Sequence, residues 1–110
     1  MKLPNGDMAT INTRKVVEYC LSFDHEDGQH KAHLFELLLG ITIGNSSLLI
    51  DALQQAAKGG DASLGKREKY GQRYVIDFEF EGPRGSALVR SAWILGPDET
   101  VPRFVTCYIL

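Results

Sequence analysis

Residues 73–95, "RYVIDFEFEGPRGSALVRSAWIL", constrain this chain more than any other stretch. The first half alternates without a slip. Tyr74, Ile76, Phe78 and Phe80 fall on one face, and Val75, Asp77, Glu79 and Glu81 on the other. That period of two marks a half-buried strand. "GPRG" is a turn and "SALVRSAWIL" a second strand. With residues 82–85 as the hairpin loop, Glu81 faces Ser86, Asp77 faces Arg90, Phe78 faces Val89 and Tyr74 faces Trp93. The apolar faces then coincide, and a slip of one residue would turn every side chain to the wrong side. A third strand, "RFVTCYIL", follows the short connection "GPDETVP", so the three form an antiparallel meander. An apolar core face sets Trp93 opposite Val105, Ser91 opposite Cys107 and Arg90 opposite Tyr108.

The same register builds a polar row on the second face. Asp77, Arg90 and Tyr108 lie side by side, with Thr106 and Glu79 one step away, within reach across strands. Two readings are open. One is a solvated face on which Asp77–Arg90 is a surface ion pair worth little. The other is an anion-binding or phosphoryl-transfer site, because an arginine fork matches phosphate oxygens. Val75, Leu88, Ile94 and Phe104 share this face, so part of it should be covered by the amino-terminal segment or by a partner.

The first half of the chain reads as helical. A short strand is expected at 8–11. A helix capped at Asn12 or Thr13 runs to about Leu21, with Val16, Tyr19 and Cys20 on one stripe. His25 sits in an exposed acidic break. A second helix runs from about His30 to Leu39, turns Leu34, Leu37 and Leu38 to the core, and stops at Gly40. A third, capped at Thr42 or Asn45, buries Leu48, Leu49, Ala52, Leu53 and Ala56 and ends at Gly59-Gly60. Residues 59–71, "GGDASLGKREKYG", read as a polar loop bearing the densest basic cluster, Lys66, Arg67 and Lys69. The fold class is α+β: amino-terminal helices packed on one face of a three- to four-stranded antiparallel sheet, in a single domain spanning residues 1–110.

Hydrophobic residues make up 44% of the 110 and charged residues 24%, enough for one modest core without disulfides. Cys20 and Cys107 lie in apolar segments with no zinc spacing, so they read as buried free thiols of a cytoplasmic protein. The net charge of -2 argues against a protein held on nucleic acid by overall charge. No apolar run reaches a membrane span and "MKLPNGDMATIN" is no signal peptide, so no membrane partner is expected. There is no P-loop and no Rossmann glycine pattern. No cofactor and no metal site are expected.

"GQHKAH" places His30 and Lys31 in the first turn of the second helix, where backbone N–H groups favour anions. A histidine can move a proton near neutral pH, and a lysine beside it can hold an oxyanion. The plainer reading is that His30 and His33 solvate an exposed helix start.

"LPNGDMATIN", "GQHKAHLF", "YGQRYVIDF", "VRSAWIL" and "PRFVTCYIL" together resemble a family of bacterial domains of unknown function. Its pattern runs LPN, GxHKA, YGxxY, VRSxWI and PRLVTCY, and the match covers nearly the whole chain. The layout is similar to that of small toxin nucleases of the barnase–EndoU–colicin–RelE type. The resemblance implies a metal-independent endoribonuclease-like toxin domain. His30 and Lys31 would be catalytic, with Arg90, Thr106 and Tyr108. Asp77, Ser91, Lys66, Arg67 and Lys69 would bind substrate. RNA would be one partner, and a small cognate protein of antitoxin or immunity type the other. The alternative is a non-catalytic protein-binding module of a small bacterial operon.

Overall fold

The alternation at 73–95 folds as a hairpin in the expected register. A computed structural model of the chain describes residues 1–24 and 29–110. The expected exposure of His25 and the helix start near Gly28 lie outside the described residues. Four antiparallel strands are described: β1 (Ala62–Glu68), β2 (Gly71–Glu81), β3 (Ser86–Leu95) and β4 (Arg103–Ile109), in spatial order β1-β2-β3-β4. Asp77 pairs with Arg90, Phe78 with Val89 and Tyr74 with Trp93, as the apolar match requires. Three helical segments precede the sheet. The first, α1, covers residues 13–20, α-helical over Thr13–Lys15 and π-wound over Val16–Cys20. The second, α2, covers Gln29–Leu39, α-helical to Leu34 and π-wound from Phe35. The third, α3 (Ser46–Gly59), follows a short 3-10 turn at Ile43–Asn45. The class is α+β, helices before sheet.

One core holds the layers together. Val16, Cys20, Phe35, Leu39, Leu49 and Leu53 from the helices meet Ile76, Val89, Trp93, Phe104 and Cys107 from the sheet. Trp93 and Phe104 pack edge to face at 5.5 Å, a favoured aromatic geometry.

Four expectations change. First, residues 62–68 form a strand, so the basic cluster lies on the edge strand β1 and the turn after it. Its charged, glycine-containing sequence breaks the apolar alternation, as edge strands often do. Second, Trp93 pairs with Phe104 and not with Val105, because the β3–β4 register shifts between Ala92 and Trp93. Val105 is the extra residue of a bulge, and a bulge turns the following side chains to the other face. Phe104 therefore enters the core, 2% exposed. Third, α2 buries Ala32, Phe35 and Leu39, while Leu34, Leu37 and Leu38 are exposed. The run "HLFELLLG" carries two apolar stripes at helical spacing, and the stripe with the phenylalanine packs inward. Tyr19 of α1 and Leu48 of α3 are likewise exposed. Fourth, the strand expected at 8–11 does not form: Gly6–Met8 is a 3-10 turn, and Thr10 makes an isolated parallel bridge to Arg103 at the edge of β4. Ile94, opposite Arg103, is 6% exposed.

The stop at Gly40 holds. Its φ of 71° is left-handed, and its N–H and that of Ile41 bond back to the Glu36 and Phe35 carbonyls, a helix-ending pattern that favours glycine.

Candidate functional site

The polar row exists, and α2 supplies its outer end. On β2 and β3 the Arg90 fork clasps Asp77 through two bonds, Nε to Oδ1 at 2.8 Å and Nη2 to Oδ2 at 2.9 Å. This bidentate geometry is the strong form of the pair. The Arg90 pKa is raised, first by the Asp77 carboxylate and to a smaller extent by the neighbouring Tyr108 hydroxyl. The same clasp holds the Asp77 carboxyl below its ordinary range. On β4, Tyr108 and Thr106 share a face by alternation. Lys31 reaches both from α2: its Nζ donates to Thr106 Oγ1 at 3.1 Å and lies 5.5 Å from the Tyr108 ring centre, within cation–π range. Four elements thus bring Asp77, Arg90, Tyr108, Thr106 and Lys31 into one line across the sheet. Beside it, a shallow depression of about 400 Å³ is lined by Asp61, Ser63, Leu64, Val75, Asp77 and Arg90.

Behind Thr106 the row continues into the core. The Cys20 sulfur lies 4.0 Å from Thr106 Oγ1 and 3.8 Å from the Cys107 sulfur. Lys31 can only donate, so the Thr106 oxygen accepts from it, and either the Thr106 hydroxyl or the Cys20 thiol can donate in the contact between them. The Cys20 thiol is lowered first by the Cys107 S–H, then by the Cys107 backbone N–H, the Thr106 hydroxyl and the Lys31 charge, against the opposing effect of burial. Cys107 is raised, by its bond to the Cys20 sulfur and by burial. Both cysteines are free and buried, as their apolar setting led one to expect. The contact between them was not foreseen, though both fall on core-facing positions of their elements.

The other expected residues separate. His30 is exposed, and four residues on lies Leu34, so it heads the solvent stripe of α2. Among the described residues no hydrogen bond joins His30 to the row. His33 packs against Phe23, the rings tilted by 43° with centres 4.6 Å apart. Ser91 is not on the row. It is 0% exposed, and its hydroxyl is taken up inside the core, donating to the Ile76 carbonyl at 2.8 Å and accepting from Trp93 Nε1 at 2.9 Å. Alternation explains this: Arg90 faces out, so Ser91 faces in. A substrate contact at Ser91 gives way to a structural role. Lys66, Arg67 and Lys69 are exposed at the β1 edge of the sheet, which three strand spacings, about 14 Å, separate from β4, where Lys31 docks. Lys66 pairs with Glu68 at 3.8 Å, and Lys69 lies over the Tyr70 ring at 5.1 Å. Among the described residues no three His, Cys, Asp or Glu side chains cluster to hold a metal. No single helix among them is long and apolar enough to cross a membrane.

The family described as Domain of unknown function (DUF6883) matches residues 2–110. The chain belongs to this family. A comparison with curated proteins finds no significant match. Among solved structures the domain is similar to a chain of a contact-dependent growth inhibition toxin–immunity protein complex from Klebsiella pneumoniae 342. The TM-score is 0.69 at 19% identity, over 90% of this chain and 91% of that one. At that identity the likeness is one of fold.

Proposed function

We propose that this domain is the toxin-type member of a toxin–immunity pair and cleaves RNA in the cytoplasm without a metal, at the outer face of the sheet. One observation carries the reading: Lys31 Nζ, 3.1 Å from the Thr106 hydroxyl and over the Tyr108 ring, completes a row with Arg90. Two cations and two hydroxyls on one open face suit a phosphodiester. The fold likeness to a toxin–immunity complex chain supports the same reading.

In the proposed reaction the RNA 2′-oxygen attacks the adjacent phosphorus, and the bond to the 5′-oxygen breaks. The products are a 2′,3′-cyclic phosphate and a 5′-hydroxyl. His30, exposed one residue from Lys31, acts as general base and takes the 2′ proton, and a water molecule on the opposite side protonates the leaving 5′-oxygen. Lys31 and Arg90 stabilise the charge that grows on the equatorial oxygens. Thr106 and Tyr108 position the phosphate. Asp77 holds the Arg90 fork in plane, and Lys66, Arg67 and Lys69 attract the RNA backbone along the far edge. The test is cleavage of a labelled RNA by the purified chain in the presence of a chelator, scored for cyclic-phosphate ends. Lys31→Ala, Arg90→Ala and His30→Ala are each expected to slow it by about 100-fold. Retained cleavage in both His30→Ala and Arg90→Ala overturns the assignment.

A second reading rests on a different observation. Leu34, Leu37 and Leu38 are 42%, 61% and 43% exposed on one helix. Three adjacent surface leucines suit a protein partner. On this reading the chain is a binding module, and His30 belongs to its contact surface. It predicts no cleavage at all, and a complex with a small cognate protein that is lost when the three leucines become serine.

A further inference from the structure

The sulfurs of Cys20 on α1 and Cys107 on β4 stand 3.8 Å apart, with 1% and 0% of the two residues exposed. The RNA-cleaving row does not use them. Their environment is more ordered than simple packing demands. The Cys20 sulfur accepts from the Cys107 S–H at 3.8 Å and lies 4.0 Å from the Thr106 hydroxyl oxygen. Lys31 stands on the far side of that hydroxyl, its Nζ bonded to the Thr106 oxygen. The Cys20 sulfur therefore faces a second thiol and a hydroxyl from β4, with a cation from α2 one contact behind, and the S–H donor and the cation favour negative charge there. The other thiol is 3.8 Å away, close enough to serve as a resolving thiol. A disulfide needs the sulfurs at about 2.0 Å, so small rotations of the two side chains can close the gap.

We propose that Cys20 and Cys107 are a redox-active dithiol, with Cys20 the attacking and Cys107 the resolving sulfur, closed to an internal disulfide by a small hydroperoxide. The Cys20 thiolate attacks one peroxide oxygen, and the O–O bond breaks. Cys20 becomes a sulfenic acid, and the hydroxide released takes the Cys107 proton to form water. The Cys107 thiolate then attacks the Cys20 sulfur. The S–O bond breaks, and the departing hydroxide recovers the proton that Cys20 gave up on ionising. Two thiols are oxidised and one peroxide is reduced to two waters. A hydroperoxide is small enough for a buried pair, whereas a bulky disulfide reagent is not. Oxidation also removes the thiolate towards which Thr106 and Lys31 are drawn. The chemistry at the core is thereby tied to the cation at the edge of the surface row.

The experiment treats the full chain, natively folded, with hydrogen peroxide and maps its peptides without reduction. The expected product is a monomer lighter by two hydrogens, with the Cys20 and Cys107 peptides linked and released by dithiothreitol. Its melting temperature should rise by on the order of 10 °C, because the link closes most of the chain into one loop. Cys107→Ser should stop at a sulfenic acid on Cys20 that dimedone traps, whereas Cys20→Ser should leave Cys107 unmodified. Lys31→Gln should slow the first step several-fold, since it removes a charge that favours the thiolate. Linkage only between chains, oxidation only after unfolding, or independent overoxidation of both sulfurs overturns the proposal. None of these readouts depends on RNA cleavage. If a serine variant fails to fold, the peptide map of the unaltered chain decides alone.

Discussion

Ser91 shows how much one hydroxyl can do when alternation turns it inward. It accepts the indole N–H of Trp93 two residues along the same strand and donates to the Ile76 carbonyl across the hairpin. Both partners are otherwise shut away from water. Ser91→Ala leaves a buried indole N–H without an acceptor, which costs about 1–3 kcal/mol. Urea denaturation should read that loss with an unchanged slope. Arg90, its neighbour in sequence, faces the opposite way and is legible as a partner of Asp77 from the hairpin register alone. Lys31 was legible only as a residue type at a helix start. Its contact with Thr106 joins positions 75 residues apart, which no local pattern can reveal.

At the scale of elements, α2 is where periodicity was ambiguous. Six of its apolar side chains divide between two stripes, and either could have faced the sheet. The packed stripe is the one whose Phe35 fills the space over the core, and Leu34, Leu37 and Leu38 are left outside. The contrast is measurable. Phe35→Ala should cost about 3–5 kcal/mol, and Leu37→Ala within about 0.5 kcal/mol, both by equilibrium unfolding. Equal costs would contradict the packing. The β2–β3 hairpin was legible because both its strands alternate and its loop is short. The β4 pairing was legible only in part. Ser91–Cys107 and Arg90–Tyr108 fall where expected, but the extra Val105 that brings Phe104 inward has no signature in "RFVTCYIL". Strand β1 escaped notice because "ASLGKRE" offers charge and glycine where a strand usually offers β-branched residues.

For the whole molecule, acid is the informative stress. The carboxyls of Asp77, Asp61 and Glu99 are all held below their ordinary ranges, by Arg90, the terminal ammonium of Met1 and Arg103 respectively. A carboxyl lowered on folding adds stability that is complete above its unfolded value. That contribution shrinks as pH falls through the native value and is absent once both states are protonated. Thermal stability should therefore fall as pH drops below about 4. Asp77→Asn should flatten that part of the curve, because its side chain no longer titrates. A variant as acid-sensitive as the parent would show that the Arg90 clasp contributes nothing to folding.

The two borders of the sheet are guarded by different means. Along β4 the amino-terminal segment is docked, the Phe104 N–H donating to the Thr10 carbonyl and the Thr10 N–H to the Pro102 carbonyl, so that part of the border is already committed. Along β1 the guard is charge, with Lys66 and Arg67 lying exposed on the strand itself. A free edge invites another chain to add to the sheet, and lysine or arginine discourages it. Self-association of this domain would therefore begin at one border only, and dissolved salt, which screens charge but leaves hydrogen bonds in place, would be what opens it.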